Sequence, residues 1–231
     1  MIRTRTFWLL LIGSLLCALP PTLLAETSKC FGTTANGRLQ GGVSLPLSGN
    51  NFSAYSVLGW TSGRTYVHSA VSDILIEAFR ALERSAAGKT FVYGETGWKQ
   101  GGRFKPHKTH QNGLSVDLMV PVLLEGESVP LPGGMFNRYG YDIEFNKEGR
   151  YEDYRIDFEA LAELIYQIHL AAKTNSVAID RVIFDLPLQQ HLWSTKRGEF
   201  LRQSVTFSKK AAWVRHDEHI HIDFGIACAR L

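Results

Sequence analysis

Past residue 25 the chain has no unbroken apolar stretch of the ~20 residues that a membrane-crossing helix needs, so no integral membrane protein is expected there. It also lacks internal repeats, low-complexity tracts and any basic stripe interleaved with aromatics, which argues against nucleic acid as a partner. Neither sign of charge dominates, with 25 Lys and Arg against 22 Asp and Glu. Cysteine is scarce, three in 231 residues. Nothing in the sequence sets an oligomeric state.

The first 25 residues are expected to be a signal peptide. Arg3 and Arg5 give a positive start, Phe7 to Ile12 and Leu15 to Leu24 give an apolar body, and Ala25 offers a small residue for cleavage. An uncleaved anchor is the alternative, but Gly13, Ser14, Pro20 and Pro21 interrupt the run. Cleavage leaves a charge of 23 − 22 = +1 and places the mature chain, residues 26–231, in the periplasm. Cys17 departs with the leader. Cys30 and Cys228 remain, and an even pair in an oxidising compartment suggests a disulfide joining the two ends. Two unpaired buried thiols are the alternative. Neither cysteine has a second Cys or a His at metal-ligand spacing.

Residues 26–66, rich in Gly, Ser and Asn, read as loops with short strands. Val71 to Arg84 repeats apolar residues at helical spacing, with Gly88 closing it, and Thr90 to Tyr93 reads as a short strand. Leu114 to Val122 is a second strand, and residues 125–155 are too irregular to assign. Phe158 to Lys173 is the clearest helix. Arg181 to Asp185 is a strand, a short helix follows Pro187, and Ile220 to Ile226 is a last strand. Helices and strands mix without a βαβ rhythm. The expected fold is a single α+β domain with a small, mostly antiparallel sheet, flanked by helices and long loops.

Five of the eight histidines fall in two windows, His107 and His110, then His216, His219 and His221. In the later window Ile220, Ile222 and Phe224 alternate with His219, His221 and Asp223. A strand would therefore bury one set and present two imidazoles and a carboxylate on the other face. In the earlier window Val116, Leu118 and Val120 alternate with Ser115 and Asp117, and Gly113 permits a turn that carries His110 over the start of that strand. If the two strands are neighbours, His110, Asp117 and His221 converge. Two imidazoles and a carboxylate suit a catalytic zinc whose fourth position is left to water. His219, on the same face, is placed to carry a proton. The alternative is a pair of surface-strand histidines beside an ordinary exposed aspartate.

The stretch Gly101-Gly-Arg-Phe-Lys-Pro-His-Lys-Thr-His-Gln-Asn-Gly-Leu-Ser-Val-Asp117, together with His216-Asp-Glu-His-Ile-His221, resembles the penicillin-insensitive murein endopeptidases. These belong to the wider group of lysostaphin-type peptidases, D-alanyl-D-alanine metallopeptidases and hedgehog domains. Weaker similarity runs from about Asn36 to the end. The resemblance implies one zinc per chain held by His110, Asp117 and His221, with His219 as catalytic base or oxyanion partner. It makes His107 and His216 close neighbours that orient ligands or substrate, and Arg103 a candidate for a substrate carboxylate or, equally, a structural ion pair. At Glu148 to Tyr151, where some members of that family have further metal-binding residues, no second metal site is carried over.

The implied activity is hydrolysis of amide bonds in peptidoglycan stem-peptide cross-links, D-alanyl to diaminopimelate foremost. A D,D- or L,D-carboxypeptidase and a non-catalytic zinc-stabilised wall-binding module are the rivals. Related carboxypeptidases use a glutamate at the place of Glu218, whose side chain faces away from His221 if the strand already includes it. His68, His169 and His191 are expected to be structural or surface residues; Trp213 is expected to be a core aromatic, with a wall of the substrate cleft as the alternative.

Overall fold

The computed structural model describes residues 27–231. The expected export segment, residues 1–25, lies outside them. Among the described residues no helix is long and apolar enough to cross a membrane.

Two long helices carry most of the core. Ser69–Ser85 buries Ile74, Leu75, Ala78, Phe79 and Leu82, an i, i+3, i+4 stripe with polar residues on the opposite side. The side chain of His68 caps its start, Nδ1 accepting from the Ala70 amide at 3.2 Å. Phe158–Thr174 repeats the pattern with Leu161, Leu164, Ile165 and Ile168, and Asp157 caps it through Ala160 N–H. The two helices pack on each other. Each buried Leu, Ile or Phe removed from water contributes about 1.5–3 kcal/mol.

The central sheet has five strands in the order Ala178–Ile183, His219–Gly225, Ser115–Met119, Phe91–Tyr93 and Phe52–Ala54. All neighbours are antiparallel except Phe52–Ala54 on Phe91–Tyr93. Its middle pair is in register with His221 opposite Asp117 and Ile222 opposite Val116. Val116, Leu118, Ile220, Ile222 and Phe224 therefore share the apolar face and are almost fully buried. The domain is α+β with a mostly antiparallel sheet, as expected.

The irregular stretch 125–155 builds a second sheet with the order Arg150–Tyr151, Tyr154–Ile156, Val122–Leu124 and Glu127–Val129. A tight helical turn at Met135–Gly140 interrupts it, with Arg138 and Tyr139 in left-handed backbone at φ 48° and 60°. The expected strand 114–122 is in fact split before Pro121, which has no amide to donate to a ladder. The strand expected at 181–185 begins earlier, at Ala178, and a helix at Gly198–Ser204 went unrecognised in the sequence. Cys30 and Cys228 form a disulfide, at a sequence separation of 198 and with Cα atoms 4.8 Å apart.

Candidate metal centre

The polar face of the middle strand pair collects the histidine windows. Asp117 is fully buried at its centre. Its Oδ1 accepts from His221 Nδ1 at 2.9 Å and lies 3.2 Å from His110 Nε2. Its Oδ2 accepts from the Tyr141 hydroxyl at 3.1 Å, with His107 Nδ1 at 3.7 Å and His219 Nε2 at 3.8 Å. Burial alone would favour the protonated acid, but the surrounding imidazoles, His110 and His219 first, outweigh it and hold Asp117 well below the usual carboxylate range.

His110 arrives from a loop. Its backbone is left-handed, φ 68°, and its neighbours are pinned by Gln111 N–H to Thr34 O and Gly102 N–H to Gln111 O. The expected turn is present at Gly113, φ 77°, where a Cβ would sit 2.8 Å from the His68 amide nitrogen. His110 Nδ1 lies 3.2 Å from Thr96 O, so this nitrogen carries the proton and Nε2 offers a lone pair. That Nε2 is buried and, despite its nearness to Asp117, has no hydrogen-bond partner. A buried imidazole nitrogen left in this state is costly unless something else fills the role.

His221 and His219 come from the strand. Besides Asp117, His221 binds Asp223 through Nε2 at 2.8 Å, and Asp223 is anchored by Ser115 Oγ at 2.6 Å and by Arg181. Burial would lower the His221 pKa, but hydrogen bonds to Asp117 and Asp223 raise it to about 9. The strand begins at His219, so Glu218 precedes the alternation. Its carboxylate is not turned away from the site: Oε1 accepts from His219 Nδ1 at 2.7 Å. Burial would lower the His219 pKa too, yet the Glu218 and Asp117 carboxylates raise it. His216 stacks near His219, 4.6 Å between ring centres, and burial followed by the His219 charge pushes its pKa down to about 4.

His107 closes the ring from the other side. Its Nε2 is 2.6 Å from Glu95 Oε2, which leaves Nδ1 toward Asp117. Glu95 also accepts from Tyr55 Oη at 2.8 Å and from Arg64 Nε and Nη2. Burial would raise its pKa, but hydrogen bonds from His107 and Arg64 lower it to about 2. The Tyr141 hydroxyl accepts from the Glu95 amide at 2.7 Å while donating to Asp117. This crossing requires Gly94, where a Cβ would stand 2.5 Å from the Tyr141 oxygen.

Glu95, Tyr141 and Asp223 were not singled out as site residues from the sequence. The alternation puts Asp223 on the face of His219 and His221, as the structure has it, but gives it no role in the site. Glu95 and Tyr141 follow no pattern that points to them.

His107, His110 and Asp117 offer donor atoms within 4.8 Å of one another, a group that could hold a metal ion. His221 joins the same centre through Asp117. Two donor sets thus share His110 and Asp117 and differ in whether the third donor is His221 or His107. Arg103 stands apart. It is exposed, has no ion pair among the described residues and does not line the cleft beside the histidines. Trp213 is not a core residue: it is 62 % exposed and walls that cleft, because the 208–216 segment loops out ahead of the strand. His68 caps a helix, His191 bonds Lys147 O at 2.9 Å and His169 packs on Phe200, all away from the centre.

Residues 30–230 match a family model described as penicillin-insensitive murein endopeptidase. No curated protein matches the chain.

Proposed function

The chain belongs to the penicillin-insensitive murein endopeptidase family, and from that premise we propose that it is an exported, zinc-dependent hydrolase of stem-peptide cross-links in the periplasm, with the D-alanyl–diaminopimelate amide as the bond cut. Residues 1–25 are the leader and 26–231 the catalytic domain. The observation that carries the zinc is the unpartnered, buried His110 Nε2 aimed at Asp117, whose other neighbour is His221 Nδ1. His110, Asp117 and His221 are the proposed ligands. The donor set fits: His110 is in the neutral tautomer a metal requires, Asp117 is ionised, and Asp223 can orient the far nitrogen of His221. His107 is the alternative third donor, favoured by its free Nδ1.

A bound zinc supplies Lewis acidity toward the scissile carbonyl and makes water a better nucleophile near neutral pH. The remaining work falls to side chains. His219, charged readily because Glu218 braces Nδ1, takes a proton from the attacking water at Nε2 and returns it to the amine nitrogen as the C–N bond breaks. Tyr141 and Glu95 keep Asp117 and His107 in place. No serine nucleophile is used, so β-lactams, which acylate such serines, have nothing to attack.

An internal-bond cutter needs space on both sides of the scissile amide. Cavities of about 870 and 300 Å³ meet at Pro106, Arg138 and Tyr141, which supports an endopeptidase over an exopeptidase. The test is digestion of purified wall by the mature protein, with and without chelator, read by mass spectrometry. Cross-linked dimers should become monomers with one water gained, and chelator should stop it. Release of terminal D-alanine alone would make it a carboxypeptidase, and no product a binding module.

A further inference from the structure

The larger cavity is strongly one-sided in charge. Its walls carry Lys108, Arg138, Arg181, Lys209 and Lys210 against one carboxylate, Glu218. The whole chain is nearly balanced, 25 cations to 22 acids, so this concentration is local. Glu218 is committed to His219. Two of the cations are also committed, Arg138 to Asp142 at 3.2 Å and Arg181 to Asp223. The three lysines have no carboxylate within 4.0 Å among the described residues, and Lys108 Nζ lies 4.6 Å over the Trp213 ring.

The two lysines of the 208–216 segment are carried on fixed backbone. Ser208 N–H donates to Val182 O at 2.8 Å, Ser208 O accepts from the buried Gln189 amide at 3.1 Å, and Ser208 Oγ donates to Lys210 O at 2.9 Å. The backbone they project from is therefore held in place, although their side chains are exposed, which lowers part of the ordering cost of binding. The smaller cavity differs. Tyr55, Leu58, Met135 and Tyr139 line it, and its Arg64 and Glu95 neutralise each other. One arm of the cleft is cationic and the other neutral, aromatic and apolar.

We propose that Lys209 and Lys210, with Lys108 and the Trp213 wall, form a carboxylate-binding subsite that selects peptides bearing a free acid on the Trp213 side of the scissile amide. This rests on the reading of the chain as a stem-peptide hydrolase and sharpens it, because stem peptides carry carboxylates along their length while ordinary neutral peptides do not. The lysine charges attract the acid, and the exposed indole covers the aliphatic carbons beside it.

The experiment compares a cross-linked muropeptide dimer with the same dimer whose free carboxylates are amidated, for the wild type and for K209Q/K210Q. The wild type should prefer the acid form by about 10-fold in kcat/KM, expressed mainly in KM, and the preference should shrink with added salt. In the double variant the preference should collapse. Metal content and thermal midpoint confirm that the variant is folded. A wild type indifferent to amidation, or a variant that keeps the preference, overturns the subsite. A second arm needs no turnover. Quenching of Trp213 fluorescence by the uncleaved acidic peptide, with W213F to subtract the other three tryptophans of residues 26–231, should be lost in K209Q/K210Q and on amidation. If wall is not cleaved but this binding holds, the catalytic reading fails and the subsite stands; if wall is cleaved and binding ignores the lysines, the reverse is true.

Discussion

The two histidine windows reach the same centre by different means. His219 and His221 sit on a strand bonded on both sides, so the direction of each ring follows from alternation within a few residues. His107 and His110 sit on a loop whose shape is imposed by distant groups: Thr34 and Thr96 carbonyls, Glu95, and the space left by Gly113. The strand window is locally determined, the loop window is held from outside. Damage should therefore spread differently from the two.

Asp117 belongs to both, and its loss should be the most severe. Asp117→Ala should leave no stoichiometric zinc in freshly purified protein by metal analysis, and no wall digestion. Full occupancy would mean that the centre does not turn on this carboxylate. Within the strand window, His219→Ala should keep its zinc while turnover falls about 10²–10⁴-fold. Glu218→Gln, which removes only the brace on Nδ1, should fall less, about 10-fold, and its pH–rate profile should shift. If Glu218→Gln is dead and His219→Ala merely slow, the proton carrier has been assigned to the wrong residue.

Asp223→Asn tests whether the strand window relies on its anchor. Zinc affinity in a competition titration should weaken about 10–100-fold, with the fold retained. Gly113→Ala tests the loop window. The added Cβ meets backbone at 2.8 Å in a left-handed conformation, so a cost of about 1–3 kcal/mol should appear in the unfolding midpoint. His110 should lose metal affinity along with it, whereas a mutation of equal cost far from the loop should not have that effect.

Acid should separate the windows most gently. Glu95 is held at about 2, below its usual value, so its contribution is fully present above about pH 4.5 and is lost as pH falls toward 2. Asp223 is held lower still. The thermal midpoint should drop across that range and E95Q should flatten the drop; an undiminished drop in E95Q would show that the loop window does not lean on Glu95.

What could be read beforehand follows the same division. Period-two alternation exposed the strand pair, its apolar face and the relation of His219 to His221, because those depend on neighbours in sequence. The turn at Gly113 was legible from one glycine. Tyr141 was hidden because it leaves an irregular segment and reaches Asp117 only where Gly94 makes room. Glu95 follows a three-residue strand and is defined by partners from Tyr55, Arg64 and His107. Trp213 was misplaced because an aromatic between two apolar neighbours looks like core, and only the outward loop of residues 208–216 shows otherwise.

The disulfide has a consequence beyond restricting the unfolded chain. Cys228 stands three residues past the end of the His219–Gly225 strand, and the Ala229 amide and carbonyl also bond to the strand Lys29–Thr33, which carries Cys30. The strand that carries His219 and His221 cannot peel away from its free end while that clip is closed. Peeling would have to start in the middle, against two flanking ladders. A cation held at this centre would thus depend on the oxidation state of a sulfur pair that does not touch it, since reduction would free the end of the last strand while leaving every proposed ligand unaltered.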